Sequence, residues 1–386
     1  MDASALHDVV IAGAGPVGAT LALALSRADL DVVALDARAP GEIPRGDRSL
    51  ALSHGARLIF ERLGVWAPMA ARTGAVTPID AVDISQARAF GALRLTAREQ
   101  GVPALGYVVS YRALQAALDA ALACTRVQVR YGARVAGITS TPDHASVALT
   151  DGAQPLAARM AVAADGAGAT VEGIVRRRRD YGQTAVVGKL WLERPQAGVA
   201  YERFTAEGPV ALLPEHDHYG VVWTRTPAQA EEVLALSDTA FLTALARHFG
   251  GRVRGFARVA DRRAFPLVLE YADPPVAGRA VAIGNAAQAL HPIAGQGFNL
   301  GLRDAHELAE LVVATPRPAL GTHAMLAQYA RARAADRRAG IAFTDGLVHL
   351  FGGSALRWPR GVGLAMLDAL PPLKRAFTHA MLYGVR

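Results

Sequence analysis

Cysteine is almost missing from this chain. Cys124 stands alone among 386 residues, which excludes an internal disulfide and a thiolate-built metal site and fits a reducing, cytosolic compartment. Lysine is nearly as scarce. Lys189 and Lys374 are the only two, so the net charge of +7 is carried almost entirely by arginine. Such a surplus suits an acidic membrane surface, an acidic partner or an anionic cofactor, or reflects the codon habit of the source. The arginines are dispersed and accompany no nucleic-acid-binding motif, which argues against DNA or RNA as a partner. No repeat, low-complexity tract or long linker interrupts the chain. There is no G-x-S-x-G elbow either, because Ser53 lies in Ala51-Leu52-Ser53-His54-Gly55 without the leading glycine. Nor is there a convincing membrane span. The uncharged stretch from Val9 to Ser26 comes nearest, but it carries Gly13, Gly15, Pro16 and Gly18 at its centre and follows Asp8 instead of a basic flank.

What is present begins with that same stretch. A hydrophobic share of 52% excludes disorder, and the length allows two or three domains. Asp8 to Ala12 has the run of a buried strand, and Gly13-Ala14-Gly15-Pro16-Val17-Gly18 fits the dinucleotide fingerprint G-x-G-x-x-G. Leu21, Leu23 and Leu25 continue a helix, Asp31 to Leu35 gives a second strand, and Asp36 closes it. An acid about 20 residues beyond the first glycine suits a ribose hydroxyl, while Gly13 makes the turn, Gly15 admits a pyrophosphate and Gly18 lets helix and strand pack closely.

A second glycine-rich stretch organises the C-terminal half. Ala280 to Ile283 predicts a buried strand ending at Gly284. Pro292, Gly295 and Gly297 keep the following loop irregular, and a helix starts near Asn299. Leu300, Leu308 and Leu311 share one side of it, with Arg303, Asp304 and Glu307 off that side. A helix start carries bare N–H groups and a positive dipole end, and Gly295 and Gly297 let a flat ligand approach the backbone.

Between these stretches the spacing predicts a helix from Leu50 to Leu63 and a strand from Thr77 to Ser85. An amphipathic helix follows from Arg112, with Leu114, Leu118 and Leu122 inward. Short strands are expected at Val127–Arg130, Arg134–Thr139 and Ser146–Thr150, and a buried one at Met160–Ala164 before Asp165-Gly166. Val186 to Ala264 alternates apolar and polar residues, as in a sheet with one open face, broken by a helical pair from Ala228 to Phe249. His323 to Leu350 predicts a long helix, and Leu356 to Val385 two more, broken at Pro371-Pro372. The expected fold is α/β: a Rossmann-like FAD-binding domain (1–74, 102–182 and 269–386) with an inserted β-sheet substrate domain (75–101 and 183–268) and a C-terminal helical segment.

Three clusters mislead. His216-Asp217-His218 offers ligand types, but neighbours on a polar loop seldom converge on one metal, so a plain turn is expected. The run Arg176 to Arg179 has the character of a solvated charged turn, with an acidic-lipid contact as the other reading. Gly166-Ala167-Gly168-Ala169-Thr170-Val171 imitates a second fingerprint but lacks its third glycine.

The fingerprint, the Asp165-Gly166 pair and the Gly284 stretch, in this order, resemble the flavin-dependent aromatic hydroxylases of the p-hydroxybenzoate hydroxylase type. Within them the chain is similar to the ubiquinone-biosynthesis branch, the 2-polyprenyl-6-methoxyphenol hydroxylases. Tyr201-Glu202-Arg203-Phe204-Thr205, Gly208-Pro209, Leu213-Pro214 and Thr344 to Phe351 carry the likeness along the chain. The resemblance implies that Gly13, Gly15, Gly18 and Asp36 bind the ADP half of FAD, with Arg48 and Arg112 near the flavin and pyrophosphate. It places Asp165 in a motif contacting FAD and NAD(P)H, Gly284 and Asn285 near the ribityl–pyrophosphate region, and Pro292, Gly295, Gly297 and Asn299 along the isoalloxazine. The wider family has Gly-Asp-Ala-Ala-His where this chain has Gly284-Asn285-Ala286-Ala287-Gln288, and the ubiquinone branch shares that Asn and Gln. After Asp165-Gly166, Ala169 and Glu172 stand where the family usually has serine and arginine.

The implied chemistry is reduction of FAD by NAD(P)H, addition of O2 at flavin C4a and hydroxyl transfer to a polyprenylated phenol. That requires a dry, apolar chamber, for which Phe204, Leu212, Pro214 and Trp223 have suitable character, as they do for plain core. No residue is assigned as acid or base, and no metal is expected. A flavin-dependent prenyl reductase, or a non-catalytic FAD-bound scaffold in a biosynthetic assembly, remain alternatives. Oxygen uptake coupled to phenol hydroxylation separates the first, and flavin that no donor reduces marks the second. Other ubiquinone-biosynthesis proteins are expected partners. So is peripheral contact with the inner face of the membrane, through Leu364, Leu367, Leu370, Leu373, Phe377, Met381 and Leu382 among Arg357, Arg360, Lys374 and Arg375. The competing reading has these residues capping the flavin domain's own core.

Overall fold

The computed structural model describes residues 6–42, 48–166, 168–291, 295–351 and 357–385. Pro292 of the expected flavin-lining set lies outside the described residues. The N-terminal run from Asp8 to Ala12 has no polar break, and it forms the fully buried strand β1 (His7–Ala12) at the middle of a sheet. Its parallel neighbours are β2 (Val32–Asp36) and β11 (Leu156–Ala163), and β19 (Ala280–Ala282) runs parallel on the far side of β11. β8 (Gln128–Tyr131), β9 (Val135–Ser140), β10 (Ala145–Leu149), β12 (Thr170–Val171) and β18 (Val276–Ala277) complete this sheet. Against it pack α1 (Pro16–Leu25), α5 (Tyr111–Ala123) and α8 (Gln296–Ala314), through a core that includes Leu21, Leu118, Leu302 and Leu308.

A second sheet has the order β20-β17-β13-β16-β15-β14-β5-β6. It is built from β5 (Ala81–Gln86), β6 (Ala92–Thr96), β13 (Arg176–Leu192), β14 (Val199–Thr205), β15 (Gly208–Glu215), β16 (His218–Arg225), β17 (Phe256–Ala272) and β20 (Gln288–Ala289). The helical pair α6 (Pro227–Ala235) and α7 (Asp238–Phe249) covers one face, sealing Phe241, Leu245 and Phe249 over Trp223 and Leu212. The other face meets a small sheet of β3 (Ser49–Ser53), β4 (Val76–Ile79) and β7 (Gly106–Ser110) and the C-terminal helices α9 (His323–Phe351), α10 (Arg357–Ala369) and α11 (Pro371–Tyr383). α2 (His54–Arg62), α3 (Trp66–Ala70) and α4 (Ala97–Gln100) fill the connections.

The structure departs from expectation at several points. Ser49 to Ser53 is strand, not the start of a helix: it pairs with Gly106–Ser110, and the Ser53 hydroxyl caps α2 by accepting from the Ala56 N–H. Arg176 to Arg179 is the beginning of β13, not a turn. Glu270 and Asp273 of the facing strand and Asp345 of α9 pair with these guanidinium groups, so the charges are neutralised across the ladder. Asp304 is fully buried although it is a charged residue of an amphipathic helix. β4 pairs with β7, so its residues belong with the small sheet. The borders expected near 182 and 268 fall inside the unbroken strands β13 and β17. We propose that the FAD-binding and substrate domains meet there without a linker, with β13 and β17 running on through the border.

Candidate functional site

Parallel strands deliver their following loops to one edge, and here three such ends converge. Ala164 N–H donates to the Ala12 carbonyl at 2.8 Å, and Ile283 N–H to the Ala163 carbonyl at 2.9 Å. The Gly13 turn, Asp165 and Gly284 therefore lie side by side. The fingerprint glycines differ in what demands them. Gly13 has φ +102°, and a Cβ on it would stand 2.6 Å from the Asp165 Cα; one on Gly18 would stand 1.9 Å from the Gly13 carbonyl oxygen. The fold itself forbids side chains at both. Around Gly15, the N-cap of α1, none of the described residues comes within 4 Å of where a Cβ would be. That open space borders the N–H groups of a helix start, an arrangement fit for a pyrophosphate.

Asp36, at the end of β2, is buried, and its carboxylate is not free. It accepts from the Arg38 N–H at 2.8 Å and from Arg38 Nη2 at 2.7 Å. Arg38 reaches on to Asp119, and Gln115 Nε2 donates to Asp119 at 2.7 Å and to the Ala14 carbonyl at 3.0 Å. This Asp36–Arg38–Asp119–Gln115 chain ties the acid to the fingerprint loop. Sequence reasoning missed Arg38, whose only signal was its place two residues beyond the acid. Arg48 and Arg112 are brought together because Ser49 pairs with Ser110. Arg48 rests its guanidinium 4.4 Å from the Tyr111 ring centroid, and both arginines are exposed. Asp165 Oδ2 accepts from Ala169 N–H at 2.6 Å, and exposed Asn285 follows Gly284 in a single 3-10 turn.

Around the second glycine-rich stretch the same distinction holds. Gly295 has φ +60°, and a Cβ there would meet the Ala51 methyl at 2.9 Å, so the fold requires it. Gly297 is helical, and a Cβ would find Leu290 only at 3.7 Å, an ordinary contact. Asn299 is buried with its amide committed: Oδ1 accepts from Ser53 N–H at 2.8 Å, and Nδ2 donates to the Ala51 and Gly295 carbonyls at 3.0 and 2.8 Å. It braces β3 against the start of α8, and both of its N–H donors are spent in doing so. Gly284 and Gly301 meet at the α1–α8 crossing, where a Gly301 Cβ would stand 2.9 Å from the Gly284 Cα.

Beyond this loop opens a cavity of about 450 Å³. Its near wall is Ala51, Ser53, His291, Gly295 and Asn299, and its sheet wall includes Ile84, Phe204, Ala211, Leu213, Val222 and Thr224. Phe343, Leu364, Leu367, Phe377 and Met381 of the C-terminal helices close it. Burial of the His291 imidazole lowers its pKa to about 4, which keeps this wall uncharged. Phe204 faces the cavity as expected. Leu212 and Trp223 do not; they point through the sheet to the α7 side, where Trp223 meets Phe241 edge-on at 5.4 Å. Pro214 is two residues along β15 from Leu212, so it shares that parity and is also absent from the lining. Side chains alternate along a strand, so choosing the wrong parity on β15 and β16 moved three candidates to the far face. Ala211, Leu213 and Val222 take the places intended for them.

The residues present fit FAD: a pyrophosphate-sized opening at Gly15, a buried acid at Asp36, and a helical glycine at 297 that no neighbour among the described residues explains. Gly297→Ala should leave stability unchanged or raise it by up to about 1 kcal/mol, while displacing a flavin ring held against it. An unshifted visible spectrum with full turnover would make Gly297 an ordinary helical residue.

The chain belongs to the FAD binding domain family, whose model matches residues 7–344. FAD is accordingly its cofactor. At the level of individual proteins, it is 34% identical to ubiquinone hydroxylase UbiL of Rhodospirillum rubrum, over 98% of this chain and 90% of the relative. It is 28% identical to 3-demethoxyubiquinol 3-hydroxylase of Escherichia coli, over 95% and 96%. Among solved structures, p-nitrophenol 4-monooxygenase PnpA of Pseudomonas putida DLL-E4 superposes with a TM-score of 0.76 at 17% identity, covering 100% of both chains. PqsL of Pseudomonas aeruginosa, in complex with 2-aminobenzoylacetate, gives 0.74 at 22% identity over 93% and 99%. At these identities the solved structures share this chain's fold.

Proposed function

We propose that this protein is an FAD-dependent monooxygenase that hydroxylates the aromatic ring of a polyprenylated phenol on the route to ubiquinone, using NAD(P)H and O2. The observation that carries the substrate class is the cavity. It is apolar on nearly every side, within the range of about 300–1,000 Å³ usual for small-molecule pockets, and it abuts the Gly295–Asn299 start of α8. FAD supplies the electron transfer and the oxygen activation. The chain holds it with the Gly15 turn, Asp36, Arg48 and Arg112. It presents Gly297 to the ring, and it walls off water with Ile84, Phe204, Leu364 and Phe377, since water would divert activated oxygen to peroxide. The test is product analysis after incubating the FAD-loaded protein with NAD(P)H, O2 and prenylphenols of differing ring substitution. A hydroxylated ring carrying one oxygen atom from O2 is the expected product. Reduction of a prenyl double bond, or flavin that no donor reduces, would overturn the reading.

We also infer peripheral contact with the inner face of the membrane. Among the described residues no helix is long and apolar enough to cross a membrane. The contact envisaged from the sequence needs revision. Leu364, Leu367, Phe377, Met381 and Leu382 face the cavity, and Lys374 is buried between Glu99 and Asp368 at 2.9 and 3.0 Å. Outward along α10 and into α11 run Trp358, Val362, Met366, Leu370 and Leu373, all exposed, with Trp358 at 74%. This outer stripe shares α10 with the cavity wall, so a lipid-soluble tail would have a short path inward. The full-length protein should float with anionic vesicles, and changing Trp358, Met366 and Leu373 together to Ser should reduce partitioning at least about tenfold, given roughly 1.5–3 kcal/mol per large apolar side chain buried. Equal flotation of both proteins, or of neither, would remove this face as the lipid contact.

A further inference from the structure

Polar groups are few on the cavity wall, and one of them is a carboxyl that the protein leaves without a partner. Glu202 lies on β14, paired with Ile84 of β5 and Ala211 of β15, and all three line the cavity. Its strand neighbours turn the other way: Arg203 Nε donates to the His248 carbonyl on α7, and the Tyr201 ring packs on Tyr219 and Phe249. Asp83, on the adjacent strand, pairs with Arg252. Arg360 of α10 and His291 are the remaining titratable side chains in the wall. None of these groups bonds Glu202, which has no hydrogen bond or ion pair among the described residues. Burial alone pushes its carboxyl up to about 7.

An isolated carboxyl in an apolar wall costs folding free energy, and a Leu or Gln would fill the same volume. Its retention is explained by a ligand that brings a donor. Resting on the phenolic substrate class proposed above, we propose that Glu202 receives the ring hydroxyl of that substrate, accepting its hydrogen bond on binding and its proton during hydroxylation. As the proton moves to the carboxylate, the lone pair of the phenolic oxygen feeds the ring. The ring carbon then forms its new C–O bond to an oxygen atom derived from O2. The O–O bond breaks and the second oxygen leaves as water, with the electrons supplied by NAD(P)H. The ring carbon loses its C–H proton to solvent, and Glu202 returns its own to the phenolic oxygen it came from. Opposite the Gly295–Asn299 start of α8, the Glu202 wall would fix which ring edge faces the flavin.

Two measurements on FAD-loaded protein test this. The first needs no turnover: dissociation constants for a prenylphenol and its O-methyl ether, followed through the flavin absorbance at pH 8. The wild type should prefer the phenol at least about tenfold, and Glu202→Leu should lose that preference. The second is kcat against pH. The wild type should rise through about pH 7, because the ionised form is the active one. Glu202→Gln should be flat and about 100-fold slower, the low end of a general base's contribution, with unchanged FAD content and unchanged flavin reduction by NAD(P)H. Wild-type kcat and pH profile in Glu202→Gln, or retained discrimination in Glu202→Leu, would overturn the assignment. If the wild type hydroxylates no prenylphenol, the broader functional reading fails, and the binding comparison still decides Glu202.

Discussion

Gly15→Val is expected to yield a folded, soluble and colourless protein. The backbone at this position is extended, with φ −64° and ψ 178°, which valine adopts without strain. Among the described residues no atom lies within 4 Å of the added Cβ. Melting temperature without cofactor should therefore match the wild type. The side chain would instead occupy the space in front of the α1 N-terminus, where the pyrophosphate must come. Overfilling a fitted contact costs about 1–3 kcal/mol, or roughly 5- to 150-fold in affinity, and loss of the N–H bonds at the helix start adds to that. Gly18→Val is the control with the opposite outcome. Its Cβ would lie 1.9 Å from the Gly13 carbonyl oxygen, so the α1–β1 crossing must open and the fold should fail. Titration of the two apoproteins with FAD, beside their thermal melts, distinguishes a cofactor glycine from a packing glycine. A Gly15→Val protein that stays yellow would place the pyrophosphate elsewhere.

Much of the fold was legible because its signals are local. Val9 to Ile11 is uniformly apolar because β1 is covered on both faces, and Gly13 to Gly18 announces its own turn. The breaks at Pro227 and Pro371 mark helix starts, as proline does at the first helical position. Where a segment's fate depends on a distant partner, local signals fail. Ser49 to Ser53 has no strong strand pattern, and only pairing with β7 makes it one. Arg176 to Arg179 resembles a solvated charge run until Glu270, Asp273 and Asp345 are placed beside it.

The site was legible in outline and not in detail for the same reason. Glycines that shape a turn can be recognised one by one. Which face of β15 looks into the cavity cannot, because the helices on one side of the sheet and the chamber on the other are both apolar. Leu212 and Leu213 differ only in parity. Asn299 carries no mark of whether its amide meets a ligand or, as here, Ala51, Ser53 and Gly295. Glu202 carries no mark in the sequence, because an isolated acid on a strand is usually solvated. Only the surrounding wall of Ile84, Ala211 and Phe204 gives it meaning.

Replacing Arg333 with Met should strongly destabilise the protein. Arg333 is 1% exposed and Asp304 0%, joined at 2.9 Å, with Glu307 and Asp336 also on the guanidinium at 3.1 and 2.8 Å. Removing the cation leaves Asp304 buried without its charge partner, a loss of about 3–5 kcal/mol. Asp304 has a second task. Its Oδ2 accepts from Gly284 N–H at 3.2 Å and from Gln288 Nε2 at 2.6 Å, and Gln288 Oε1 in turn accepts from Arg337 at 2.8 Å. A glutamine suits position 288 because one amide can donate to the acid and accept from the arginine. The buried pair thus holds the Gly284 turn beside the fingerprint. Changing both residues, Asp304→Leu with Arg333→Leu, should recover a large part of the lost stability, as replacing a buried ion pair by apolar residues commonly does. It should not recover FAD affinity, because the Gly284 N–H and the Gln288 amide lose their acceptor. Denaturant midpoints and FAD dissociation constants of the single and double variants separate the two roles. A double variant that binds FAD as tightly as the wild type would reduce the pair to a packing device with no hold on the Gly284 turn.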